Sequence, residues 1–182
     1  MDIEECIRQG YLLRARPDQE LMVKELKESD YDLKSAQAAF RGGDAKWSIV
    51  KSYYAMFHAA RALLFAMGMK ERRHFAVAVV LESLNKAGRL EAEHLSAFHS
   101  AMSAREDADY RYTYSKETAE TILEAARQFA ARMKALAKGG QSNIPAPHNY
   151  NGAARAPGKR GKKGNAQPGA GGGDKKHHRT GR

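Results

Sequence analysis

The chain has 182 residues, enough for one domain with an appendage, and its 31 Lys and Arg against 21 Asp and Glu give a formal charge of +10. No apolar run reaches the ~20 residues that a bilayer span needs, the opening Met1-Asp-Ile-Glu-Glu is acidic where a secretory leader is basic, and the one cysteine, Cys6, excludes an internal disulfide. These features read as a cytoplasmic protein with no membrane partner. The charge is uneven: residues 139–182 hold nine Lys and Arg against the single acid Asp174, so the first 138 residues carry only +2.

In chain order, residues 1–16 read as a short helix, with Ile3, Ile7 and Leu12 or Leu13 in rough phase and Cys6 as a small buried hydrophobe. Pro17-Asp18 opens an amphipathic helix with Met22, Leu26, Leu33, Ala36 and Phe40 inward, and Gly42-Gly43 stops it. Asp44 is the expected N-cap of the next helix, which Gly68 ends. Apolar stripes on Trp47, Val50, Tyr54, Phe57 and Leu64 and on Ile49, Tyr53, Met56, Leu63 and Met67 place that helix at the centre. Its small stripe, Ser52, Ala55, Ala59, Ala62 and Ala66, admits a neighbouring backbone. Lys51, His58 and Arg61 then need partners or a ligand.

A helix over about His74 to Lys86 buries Val77, Val80, Leu81 and Leu84 and stops at Gly88. Another, from about Glu91 to Ala108, buries Leu95, Phe98 and Met102, and the same step lands on Arg105 and then Asp109. Ser115 caps a last helix with Ile122, Ala126, Phe129, Met133 and Leu136 inward, ending at Gly139-Gly140. No stretch alternates with period two, so the expected fold is all-α, a bundle of four to five helices over residues 1–138. Residues 139–182 hold four of the five prolines and clusters such as Gly158-Lys-Arg-Gly-Lys-Lys-Gly164. They read as a disordered basic tail suited to nonspecific phosphate contact or to solubility.

Arg105 carries the sharpest chemical signal. A guanidinium in core phase at a helix end needs a carboxylate, a second subunit or an anionic ligand. An ion pair with Asp109, Asp107 or Glu106 is the plain alternative to a phosphate site flanked by Tyr110, Tyr112 and Tyr114. His58 and Arg61, three apart, share a face, and His58 is either a hydrogen-bonded core residue or an acid–base group. His74, His94 and His99 match no metal spacing, and His177-His178 lie in the tail. No metal or cofactor is expected.

The run Ser52-Tyr-Tyr-Ala-Met-Phe-His-Ala-Ala-Arg-Ala-Leu-Leu64, with Gly68, His74, Gly88 and Arg105-Glu-Asp-Ala-Asp-Tyr110, strongly resembles the HEPN superfamily, specifically its UPF0332 branch, over roughly residues 18–137. The resemblance implies a helical bundle that commonly dimerises and is often encoded beside a minimal nucleotidyltransferase in toxin–antitoxin pairs. It also implies, for many members, metal-independent endoribonuclease activity from an arginine followed after four to six residues by a histidine. Arg105 matches that arginine, but the histidine's place holds Tyr110, a poor base at neutral pH. Arg89 and His94 meet the spacing at the wrong end of a helix. Tyr112 stands where toxin–antitoxin members carry a tyrosine that the nucleotidyltransferase adenylylates. The expectation is therefore a homodimer that binds RNA or a nucleotide in a cleft with Arg105, His58, Arg61, Asp109 and Tyr110. The alternatives are an endoribonuclease using Arg105 with His58 as base, and a non-catalytic dimerising module.

Overall fold

The computed structural model describes residues 1–139. The expected tail, and with it His177-His178, lies outside the described residues. Five helices of 12 to 24 residues form the expected bundle: α2 (Gln19–Arg41), α3 (Ala45–Ala66), α4 (Phe75–Lys86), α5 (Ala92–Tyr110) and α6 (Lys116–Gly139). A sixth, α1 (Ile3–Arg8), has only six residues. Asp18 and Asp44 cap α2 and α3 as their sequences foretell, each carboxylate accepting from the backbone N–H three residues on. Ser115 does the same for α6.

The first sixteen residues depart from the expected helix. After α1 the chain turns at Gly10, and β1 (Leu12–Arg14) pairs antiparallel with β2 (Met69–Glu71), with Leu12 opposite Glu71, Leu13 opposite Lys70 and Arg14 opposite Met69. Backbone hydrogen bonds from Ala15 N–H to Gly68 O and from Arg72 N–H to Tyr11 O extend this small sheet at both ends. Its three-residue strands are too short to show alternation, and their partners are far apart in sequence. The left-handed turn at Gly68 (φ +69°) is what lets the strands meet. A Cβ there would stand 2.7 Å from the Ala15 carbonyl oxygen, so no side chain fits.

Helix α3 is the centre, in contact with α2, α4, α5, α6 and β2. Fourteen of its 22 residues are buried, which leaves it a single strip open to solvent. The small residues Ser52, Ala55, Ala59 and Ala62 are wholly buried, and the Ser29 hydroxyl of α2 donates to the Ala55 carbonyl at 2.8 Å, the close helix approach that such a stripe permits. Phe98 of α5 stacks on Phe129 of α6 at 5.6 Å between ring centroids and packs at a tilt against Tyr53 of α3 at 6.1 Å. Trp47 is the exception to the predicted core. It is 51% exposed and begins the open strip of α3, which continues through the half-buried Lys51, Tyr54, His58 and Arg61 at alternating steps of four and three.

Candidate functional site

Arg105 sits in the last turns of α5, where Leu95, Phe98 and Met102 hold that face of the helix against the core. Its side chain is 16% exposed, and its guanidinium carbon lies 5.1 Å from the centre of the Tyr53 ring on α3. Asp109, one turn on, approaches Arg105 Nη1 at 3.6 Å, an ion pair too long for a hydrogen bond. The same carboxylate lies 3.9 Å from Lys46 Nζ, so two cations share one acid. Arg105 Nε is buried with no hydrogen-bond partner.

The tyrosines complete the electrostatics. Burial of Arg105 works against its charge, but the Tyr110 and Tyr53 phenol oxygens outweigh that penalty and hold the guanidinium above its ordinary value. Burial of Tyr53 pushes its phenol up, with Arg105 pulling the other way, so Tyr53 stays protonated at neutral pH. Tyr110 and Tyr112 are 74% and 78% exposed. Tyr112 closes α5 in the left-handed conformation (φ 54°), a position normally given to glycine, and Thr113 N–H reaches back to the Asp107 carbonyl. Lys46 Nζ lies 5.8 Å from the Tyr112 ring centre. Lys46 and Tyr53 thus join the Arg105 cluster unforeseen, brought in by the packing of α3 against α5.

His58 and Arg61 go elsewhere. The His58 Nδ1 donates to Glu25 Oε2 at 2.7 Å, and its Nε2 is 3.8 Å from Asp32 Oδ2. Arg61 binds the other oxygen of Glu25 at 2.9 Å and Glu71 Oε1 at 2.6 Å, and Lys51 pairs with Asp32 at 3.1 Å. Glu25 and Asp32 are nearly buried on α2 and Glu71 ends β2, so this network closes the α2 side of the open strip. Among the described residues no contact of His58 or Arg61 reaches Arg105. The expected cleft therefore divides: Asp109 and Tyr110 accompany Arg105, while His58 and Arg61 belong to an ion-pair network spanning α2, α3 and β2. The missed signal lay in α2, where Glu25, Ser29 and Asp32 recur in phase with the core stripe.

The remaining histidines are scattered. His74 precedes α4 and lies against Phe57, His94 faces the Phe129 ring edge, and His99 is 3.6 Å from Glu82. Cys6 is fully buried on α1, as its sequence context suggests. No helix among the described residues is long and apolar enough to cross a membrane.

Comparison with known proteins adds the family. Residues 22–136 match the model of the HEPN domain. A UPF0332 protein of Pyrococcus horikoshii is 41% identical over 54 residues, covering 30% of this chain and 38% of that protein. A UPF0332 protein of Archaeoglobus fulgidus is 27% identical over 111 residues, covering 60% of this chain and 89% of the relative. The matched span runs from the start of α2 to the end of α6 and so takes in both the Arg105 cluster and the His58 network: the chain belongs to the HEPN domain family, in its UPF0332 branch.

Proposed function

We propose that this protein binds RNA or a nucleotide at the Arg105 end of the bundle, acts as a homodimer, and is one component of a toxin–antitoxin-like pair with a minimal nucleotidyltransferase. The observation that carries the binding reading is the state of the guanidinium. It is held half-buried over Tyr53, its Nε has no partner, and its one acid stands at 3.6 Å without a hydrogen bond. A phosphate oxygen can accept from the Nη end of the guanidinium, which Asp109 approaches without a hydrogen bond. The exposed rings of Tyr110 and Tyr112 offer stacking surfaces beside it. The exposed Trp47 on the same end of α3 suits burial against a second copy. The accessible phenol of Tyr112 suits adenylylation by the partner enzyme.

Binding is preferred to cleavage because the base that a ribonuclease needs is missing from this cluster. His58 is engaged by Glu25, and the buried phenol of Tyr53 is pushed away from neutral pH. The test is titration of a fluorescein-labelled single-stranded RNA with the wild type, Arg105→Ala and Arg105→Lys, with the same samples run on gels to read cleavage. Loss of a charge-assisted hydrogen bond of ~1.5–3 kcal/mol predicts roughly 10- to 100-fold weaker binding for Arg105→Ala. Arg105→Lys recovers little of it, since the fork is lost. Undiminished binding by Arg105→Ala refutes the proposed site.

A further inference from the structure

Around the two-stranded sheet, at the C-terminal end of α3, stand Arg16, Lys70, Arg72 and Arg73, all exposed. None of the four makes an ion pair or a side-chain hydrogen bond among the described residues. The acids on the same elements are already engaged. Glu4 pairs with Arg14, Glu5 with Arg8, Glu71 with Arg61, and the carboxylates of Asp2 and Asp18 cap helices. Glu20, in the first turn of α2, has no such partner among the described residues. A nearly neutral domain has therefore gathered four cations without ion-pair partners around one small sheet.

The backbone fixes their arrangement. Lys70 and Arg72 alternate to the same outward face of β2 and its extension, while Arg16 follows the Ala15–Gly68 hydrogen bond at the opposite end. Lys70 on β2 and Arg72, whose N–H bonds the Tyr11 carbonyl just past the strand's end, stand about 7 Å apart along the chain, the axial length of about two phosphates in a stacked single strand. Phe75, 44% exposed and in edge contact with Tyr11 at 5.2 Å, borders the cations with a ring on which a base can stack.

We infer that this sheet-borne basic patch is a second RNA-contacting surface, which holds the phosphate backbone of a single strand and acts separately from Arg105. The inference rests on the RNA-binding reading above. It adds to that reading a sequence-independent, salt-sensitive contact from Arg16, Lys70, Arg72 and Arg73. Lys70 on β2, with Arg72 and Arg73 just past its end, Arg16 just past β1 and an aromatic ring at their border, fit contact with several phosphates of a single strand.

The test uses the full chain, so that contacts made by residues 140–182 are common to every variant and cancel in the comparison. A fluorescein-labelled oligouridine is titrated at several salt concentrations against the wild type, the quadruple variant Arg16→Ser/Lys70→Ser/Arg72→Ser/Arg73→Ser, the triple variant Arg16→Lys/Arg72→Lys/Arg73→Lys, and Arg105→Ala. Each phosphate contact to a single strand contributes about 0.7 to the slope of log K against log salt, so the quadruple variant is expected to lose roughly two to three from that slope and to bind more weakly. The Lys variant keeps both, because phosphate contact of this kind needs charge and not a fork. An unchanged slope in the quadruple variant, with Arg105→Ala still weakened, overturns the patch and leaves the RNA reading standing. No binding by the wild type overturns both. Patch-dependent binding to phosphatidylserine vesicles, with none to RNA, overturns the inference in favour of a membrane surface. Thermal melts of each variant verify that these solvent-facing changes leave the fold intact.

Discussion

Replacing Glu25 by Ala tests the ion-pair network that occupies the open strip of α3. Glu25 is 7% exposed and accepts from His58 at 2.7 Å and from Arg61 at 2.9 Å, so its loss strands two polar groups at once. Breaking a buried charge pair costs ~3–5 kcal/mol. Here Arg61 keeps Glu71 at 2.6 Å, and His58 and Arg61 are each 23% exposed, so water and the second acid recover part of the loss. The expected destabilisation at pH 7 is therefore about 2–3 kcal/mol, or roughly 8–12 °C in Tm for a domain of this size. Urea denaturation followed by circular dichroism measures it, with Glu28→Ala on the exposed face of α2 as the control, expected within about 0.5 kcal/mol of wild type. A double-mutant cycle with Arg61→Met separates the pair from the rest of the network. If Glu25→Ala proves no more harmful than Glu28→Ala, the network contributes nothing and the carboxylate is incidental.

Gly68→Ala combines a left-handed backbone with a Cβ 2.7 Å from the Ala15 carbonyl, whereas Gly88→Ala meets the same backbone cost in open space. The first should destabilise by about 2–3 kcal/mol and the second by about 1 kcal/mol in chemical denaturation, and equal losses would remove the steric part of the account. The Arg132 guanidinium, bonded to both oxygens of Glu91 at 2.7 and 2.8 Å, holds that carboxyl below its ordinary 4.5. Because the folded value is depressed, the stability it contributes is present above pH 4.5 and is lost as pH falls through the folded value. Carboxyl NMR titration should show the depressed value, and Arg132→Ala should return it to the ordinary range.

What the sequence reveals of this fold, and what it hides, follows from the distance over which each signal acts. Helix caps are local: Asp18, Asp44 and Ser115 mark helix starts, Gly68 and Gly88 mark stops, and each does so within four residues of the hydrogen bond that matters. The position of Arg105 was legible for the same reason, since helical phase carries from Phe98 and Met102 to a residue seven and three positions on. The sheet was not, because a three-residue strand shows no period and its partner lies across two helices. Nor were the partners of His58, for Glu25 lies 33 residues upstream and only packing brings it near. Trp47 misled because a large apolar side chain in phase with a core stripe can equally begin a strip that no helix among the described residues covers.

The pairing of β1 with β2 has a topological consequence. The chain leaves the sheet at Arg14, runs out along α2, returns along α3 and re-enters the sheet at Met69, so the two longest-packed helices form a ring fastened by main-chain bonds. Length added at the turn between Arg41 and Ala45 would be absorbed at the far end of that ring. One residue added between Ala15 and Asp18 would instead shift the fastening by a single position and turn Leu12 from the interior to the water.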